Sequence, residues 1–220
     1  MPPAPPIYPP AGYTAYQGVA GGPTRSTAGA RKATIVLFWC ASAAAFLLGL
    51  VAYQRGTTVD KVDLTLKDLD DANARLGGAF LLLIALQIAA AILLAVWSSR
   101  TVSNAKARGA DASPGLAAGG WFIPIGNYWV PWGQIRKAAA RFGAVPSALT
   151  TWQVLFLAQA VLGVIARVMV GGEINVTDTD AVSKLHNQGF LYLASGVALV
   201  AGTLVATKAM KEVDKLTTPS

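Results

Sequence analysis

Four long apolar stretches divide the chain, and charged residues gather in the segments between them. The stretches cover residues 33–53, 77–97, 148–170 and 189–206. A helix of this length crosses roughly 30 Å of hydrocarbon at about 1.5 Å per residue. The apolar runs are continuous rather than alternating, which favours helices over the strands of a membrane barrel. The pattern therefore predicts an all-α membrane protein built as a bundle of four transmembrane helices.

The segments on either side of these stretches differ from them in composition. Residues 1–32 hold seven of the twelve prolines, and proline-rich sequence favours extended backbone that builds no packed core. Residues 33–207 contain all four apolar stretches, and residues 208–220 are short and basic. We predict three regions in this order: a disordered cytoplasmic tail, a four-helix transmembrane domain and a short cytoplasmic tail.

The charge distribution predicts the orientation in the membrane. The net charge is +7, but the basic residues flank apolar segments, so they indicate topology rather than nucleic-acid binding. Twelve of the eighteen Lys and Arg residues lie before the first stretch, between the second and third, or after the fourth. Because the positive side faces the cytoplasm, we predict a multi-pass protein of the cell membrane with both termini in the cytoplasm.

The loop between the first two stretches has a helical pattern of its own. Apolar residues recur at spacings of three and four between positions 59 and 76, with Asn73 as the one polar member. This periodicity predicts a helix that runs into the second transmembrane helix without a break.

The segment between the second and third stretches is not a simple loop. Pro124 and Pro131 interrupt any continuous helix, and a fifth span would place the lysine-rich C-terminal tail on the wrong side of the membrane. We predict a broken element that lies at the interface or enters the membrane shallowly, followed by an amphipathic helix over about 132–142.

Ten residues of this broken element are candidates for contact with lipid or a partner. Tryptophan prefers the headgroup level, prolines set bends, an amide can satisfy the backbone groups that bends free, and bases suit anionic lipid or an acidic partner. The ten are Trp121, Phe122, Pro124, Asn127, Trp129, Pro131, Trp132, Arg136, Lys137 and Arg141.

The same segment carries a recognisable order of residues. Trp97, Arg100 and Asn104 come first, Ser113-Pro114 and the run GGWFIP at 119–124 follow, and then come Asn127, Trp129, Pro131 and a basic helix. This order resembles the bacterial membrane family catalogued as the domain of unknown function numbered 4328, over roughly residues 34–207. The resemblance implies four membrane helices and a proline-rich cytoplasmic tail, and it implies no activity. Many family members carry a basic residue where Val130 stands here.

The sequence contains no convincing catalytic or metal-binding pattern. The single histidine, His186, and the single cysteine, Cys40, are predicted near opposite faces of the membrane, which excludes a Cys-His pair. Neither a metal-ligand spacing nor a nucleotide fingerprint occurs. We therefore predict a protein that is not an enzyme, with no catalytic residue, metal or cofactor. The predicted partners are the lipid bilayer and either a membrane protein or a second copy of the chain.

Two functions stay open at this point. The first is a non-enzymatic interaction or scaffold subunit that uses the broken element. The alternative is a small-solute transporter or channel, in which 121–132 is a re-entrant gate and polar side chains within the membrane line a water-accessible path. Those side chains would be Gln87, Gln153, Gln159 and Asn127. Arg167, the one charged residue inside a stretch, is expected to snorkel to the headgroups.

Overall fold

The computed structural model describes residues 24–61, 63–168 and 180–218, and nearly all of them are helical. The predicted proline-rich tail falls mainly on residues 1–23, which lie outside the described residues. The described residues form six α-helices, which in chain order are α1 (Ala28–Val59), α2 (Leu66–Ala107), α3 (Pro114–Gly119), α4 (Val130–Ala140), α5 (Ser147–Val168) and α6 (Ala181–Thr217). Two single 3₁₀ turns, Gly120–Phe122 and Gly126–Tyr128, connect α3 to α4.

Four of these helices, α1, α2, α5 and α6, are long and apolar enough to cross a membrane. The prediction of an all-α membrane protein with four spans is confirmed. Three of the helices extend well beyond the apolar stretches, because polar residues at the ends continue the helical turns. The helix predicted ahead of the second span is confirmed from Leu66 onward, since α2 runs unbroken from that residue. The first position of the predicted pattern, Val59, is instead the last residue of α1.

The start of α2 is held by reciprocal hydrogen bonds. The Thr65 hydroxyl accepts from the backbone N–H of Asp68, and the Asp68 carboxylate accepts from the backbone N–H of Thr65, each at 3.2 Å. This capping box satisfies two backbone donors that a helix start leaves unpaired. It explains why the helix begins eleven residues before the apolar stretch at 77–97.

The four long helices pack side by side in the order α2, α1, α6, α5. Neighbouring helices run in opposite directions. We call the end where α1 and α5 begin the basal end, and the end where they finish the distal end. Among the described residues, α2 and α5 do not pack extensively against each other. The two outer helices of the row therefore leave a gap between them.

The contact between α1 and α6 is very close. A Cβ atom at Gly189 would lie 2.7 Å from the backbone nitrogen of Tyr53, and one at Gly49 would lie 2.7 Å from the Leu193 side chain. Ala41 and Ala45 are buried as well. Small residues let helix backbones approach, so Ala41, Ala45 and Gly49 of the first span pack within the chain. In α6 the close approach uses Gly189 and its neighbours rather than Ala194, which is exposed.

The basal end is held by a buried ion pair. Arg31 of α1 pairs with Asp214 of α6, and Trp97 of α2 donates its indole N–H to the same carboxylate at 3.0 Å. Asn104 also fixes the segment before α1, because its side chain bonds both the N–H and the carbonyl of Arg25 at 2.9 Å. Two residues of the recognised order thus position the start of α1.

Candidate functional site

The broken element is built from short turns whose ends are marked by proline and serine. The Ser113 hydroxyl accepts from the backbone N–H of Leu116, and Pro114 occupies the first turn of α3. Pro131 occupies the first turn of α4, where the missing N–H costs nothing. Between the two 3₁₀ turns, Ile125 has a φ of 64°, a conformation that L-residues with branched side chains rarely adopt. The predicted break and the predicted helix after it are both present.

Two of the three tryptophans in the element are core residues. Trp132 is 0% exposed and Trp121 is 6% exposed. Their indole N–H groups are satisfied inside the protein, since Trp121 donates to the Ser98 hydroxyl and Trp132 to the carbonyl of Asn127, both at 3.1 Å. The prediction that these two rings anchor the element in the leaflet is therefore wrong. An indole whose donor finds an internal partner is as suitable for a core as for an interface.

Three other apolar candidates of the element face outward. The prediction that Pro131 contacts lipid or a partner is wrong, because this residue is buried in the first turn of α4. Trp129 is 58% exposed, Phe122 is 57% exposed and Pro124 is also exposed. These side chains form the apolar surface that the sequence predicts for lipid contact. The location of this surface, at the interface or shallowly within the membrane, stays a prediction.

The polar candidates of the element separate into internal and external groups. Arg136 donates to the Gln153 side-chain carbonyl at 2.6 Å and to the Thr150 hydroxyl at 3.4 Å, so it fastens α4 to α5. Lys137 and Arg141 are exposed and remain available for lipid or a partner. The Asn127 side-chain oxygen is buried without a hydrogen-bond partner. The prediction that this amide satisfies freed backbone groups is therefore wrong for its oxygen.

The gap between α2 and α5 forms a cleft of about 450 Å³. Residues of α1 and α6 form its floor, including Leu48 and Thr203, and mainly apolar residues of α2 and α5 form its walls. Ile88 and Val164, which belong to opposite walls, are more than half exposed. The cleft therefore opens sideways, onto the same apolar outer surface that the helices present elsewhere.

Both ends of this cleft are narrowed by side chains. At the basal end Trp121, Asn127 and Tyr128 of the broken element line it, and the Tyr128 ring lies 5.5 Å from the Phe156 ring of α5. Burial raises the pKa of the Tyr128 phenol. At the distal end the Arg167 guanidinium lies 4.1 Å from the centre of the Phe80 ring. This cation–π contact joins α5 to α2 across the cleft.

Four polar side chains line the middle of the cleft: Gln87 of α2, Gln159 of α5, and Tyr192 and Ser195 of α6. Gln87 and Gln159 belong to the path predicted for a transporter, and Asn127 of that path lies at the basal end. Gln153 is not in the cleft, because it accepts from Arg136 and donates to the carbonyl of Tyr128. Tyr192 was missed by sequence reasoning, although a phenol inside an apolar stretch, away from the headgroup level, is a signal that could have found it.

A mainly apolar cleft with a few polar groups is the usual form of a small-molecule site. The described residues contain no group of three or more His, Cys, Asp or Glu side chains that could hold a metal ion. The arrangement is suited to binding an elongated, uncharged molecule, since a charge at mid-membrane depth is costly.

The fold and the cleft are those of a multi-pass helical membrane protein. The sequence pattern of the family described as Domain of unknown function (DUF4328) matches residues 60–215, and the chain belongs to this family. The resemblance seen in the sequence is confirmed, and the matched region begins directly after α1. No curated protein and no solved structure matches the chain.

Proposed function

We propose that this chain is a non-enzymatic membrane protein that binds a lipid-like molecule in the cleft between α2 and α5. The observation that carries the proposal is the cleft itself, which has a volume of about 450 Å³ and opens toward the apolar outer surface. In this proposal the protein lies in the cell membrane with both termini in the cytoplasm, so the basal end faces the inner leaflet.

The dimensions of the cleft support a chain-shaped ligand. On α2 the lining of the cleft runs from Phe80 at the distal end to Leu94 at the basal end, fourteen residues later. At about 1.5 Å per residue this distance is roughly 21 Å, about two thirds of the roughly 30 Å hydrocarbon thickness. A lipid can enter through the lateral opening without first crossing water.

A glycine in the wall of the cleft allows a direct test. Gly163 lines the cleft, and no atom lies within 4 Å of a Cβ built there. Gly163→Leu should therefore fill the cleft while α5 still folds. We expect the purified variant to lose most of the lipid that native mass spectrometry detects on the unmodified protein.

Gly78→Leu is the matched control for this test. Gly78 also has open space around its Cβ position, but it lies outside the cleft. The control should retain the bound lipid. Equal lipid content in both variants and the unmodified protein would refute binding in the cleft.

The exposed part of the broken element supports an additional contact with the inner leaflet. Lys137 of α4 and Arg141, which directly follows α4, are exposed and lie close in sequence to the exposed Trp129. Replacing both bases with Gln should reduce the anionic share of the lipids that copurify, because basic groups attract anionic headgroups. Arg136→Gln is the control, since Arg136 is hydrogen-bonded to α5. The interpretation fails if the double variant retains the same lipid composition.

Solute transport is the second candidate, and one observation favours it. Three of the four side chains predicted to line a path, Gln87, Gln159 and Asn127, line the same cleft. If the cleft conducts small uncharged solutes, vesicles containing the protein should swell faster in glycerol or urea than protein-free vesicles. Gln159→Leu should remove the difference. Equal swelling rates with and without protein would exclude this candidate for those solutes.

A further inference from the structure

Three hydrogen-bonding side chains in the middle of the cleft have no partner in the part of the chain that the structure describes. Among the described residues, no hydrogen bond is formed by the side-chain amides of Gln87 and Gln159 or by the phenol of Tyr192. Polar groups left unpaired in an apolar setting are costly, so a protein rarely retains three of them together without a use.

The three side chains lie at nearly the same depth. The rings of Trp97 in α2 and Trp152 in α5 are 6.3 Å apart, so these two residues lie at the same depth and serve as a common reference level. Gln87 and Gln159 lie ten and seven residues from that level toward the distal end, or about 15 Å and 10 Å at 1.5 Å per residue.

Tyr192 reaches the same level from the floor of the cleft. The Ser195 hydroxyl of α6 donates to the backbone carbonyl of Gln159, which aligns Ser195 with that residue. Tyr192 is three residues closer to the distal end, about 4.5 Å along the helix. The three groups therefore occupy a band about 5 Å deep in the middle of the cleft.

The free groups in this band can donate hydrogen bonds, whereas nearby hydroxyls cannot. Ser195 has given its proton to the Gln159 carbonyl at 3.2 Å, and Thr203 has given its proton to the Leu199 carbonyl at 2.8 Å. The amide N–H groups of Gln87 and Gln159 and the O–H of Tyr192 remain as donors. These side chains also carry acceptor oxygens, but a donor is what all three have in common. The complement of the three donors is an acceptor oxygen, and it should carry no charge, because a charge at this depth is expensive.

We infer that the cleft selects an uncharged lipid that carries a carbonyl oxygen, held at mid-depth by Gln87, Gln159 and Tyr192. This inference rests on the proposed binding of a lipid in the cleft. The carbonyl can belong to an ester or to a quinone, since both present an uncharged oxygen acceptor.

Matched probes distinguish the contribution of a carbonyl group to binding from the contribution of the apolar chain. Dioctanoylglycerol and its diether analogue dioctylglycerol have the same chain number and nearly the same shape, but only the first has carbonyl groups. Decylubiquinone supplies the quinone carbonyl. Binding of each probe to the purified full-length protein in detergent would be measured by native mass spectrometry. We expect the ester or the quinone to bind at least about 3-fold more tightly than the diether, the effect of one net hydrogen bond.

Three variants identify the side chains responsible. Gln87→Leu, Gln159→Leu and Tyr192→Phe each remove donors while keeping side-chain bulk. Each should lower the affinity for the carbonyl probe roughly 3- to 10-fold. The affinity of the diether should be unchanged. Tyr53→Phe is the control, because Tyr53 lies outside the cleft and stacks on His186.

The outcomes distinguish this inference from the proposed function. Preference for the ester, for the quinone, or for both over the diether supports the inference and names the source of the carbonyl. Equal affinity for all three probes, unaffected by the three variants, overturns the inference and leaves lipid binding in place. If no probe binds and Gly163→Leu leaves the copurified lipid unchanged, the proposed function fails as well.

Discussion

The two helix pairs α1–α6 and α2–α5 show opposite ways of arranging helices in one protein. In the first pair, glycines bring the backbones so close that a Cβ at Gly189 would collide with Tyr53. In the second pair, large side chains meet only near the ends, through Trp97 and Trp152 and through Phe80 and Arg167. Helices in a membrane gain no hydrophobic energy by leaving lipid. They approach where small residues fit, and they stay apart where nothing fills the space between them.

This difference shows which parts of the chain carry stability and which are free for binding. The α1–α6 contact includes the ion pair and the tightest packing, so changes there should unfold the protein. The α2–α5 gap contains unpaired polar groups and open space, so changes there should affect bound molecules more than folding. Each of the following predictions tests one side of this contrast.

The largest effect is expected from Asp214→Leu at the basal end of α6. This change leaves Arg31 without its partner and removes the acceptor of the Trp97 indole. Loss of one partner of a buried pair costs about 3 kcal/mol in the free energy of unfolding, measured in detergent with a denaturant titration. Glu212→Gln, which breaks the exposed pair with Lys208, should cost less than about 0.5 kcal/mol. Similar losses in both variants would contradict a special role for the buried pair.

An intermediate effect is expected from Gly189→Ala in α6. The added methyl group would lie 2.7 Å from backbone atoms of Tyr53, and such overpacking lowers the free energy of unfolding by about 1–3 kcal/mol. Gly163→Ala in α5 adds the same group in open space and should stabilise its helix by up to about 1 kcal/mol. The contrast between the helix pairs is wrong if both alanine variants shift stability in the same direction.

The smallest effect is expected from Arg167→Gln at the distal end of the cleft. This change removes the cation–π contact with Phe80, which contributes about 0.5–1 kcal/mol. Arg108→Gln removes a similar contact with Phe142, at 4.0 Å and outside the cleft. Both variants should lose comparable stability in thermal unfolding, but only Arg167→Gln should change the amount of copurified lipid. If the amount of copurified lipid changes in both variants or in neither, Arg167 has no specific role in lipid binding in the cleft.

Much of the broken element could be predicted because its signals are local. Pro114 and Pro131 lack an N–H and therefore begin helices rather than continue them. The exposure of its tryptophans could not be predicted in the same way. Trp121 and Trp129 are eight residues apart and chemically identical, yet one is buried and the other is more than half exposed. Partners that are distant in sequence distinguish them, because Trp121 bonds the Ser98 hydroxyl and packs against the Phe156 ring.

The glutamines illustrate the same limit for the candidate site. Sequence reasoning could select Gln87, Gln153 and Gln159 as polar residues within apolar stretches. It could not predict which of them line a cleft and which bond to other parts of the protein. In the folded chain Gln153 is bound by Arg136 and by the Tyr128 carbonyl, whereas the other two line the cleft. Their assignment depends on the arrangement of α4 and the floor helices.

The sequence by itself determined the number of membrane helices, the start of α2 and the breaks at the prolines. These features depend on hydrophobicity, capping and backbone chemistry over a few turns, all of which are properties of neighbouring residues. Tertiary structure alone decided that α1 lies against α6, that Trp132 is buried and that a cleft remains between α2 and α5. These features depend on how distant side chains fill or fail to fill shared space, and no local pattern contains that information.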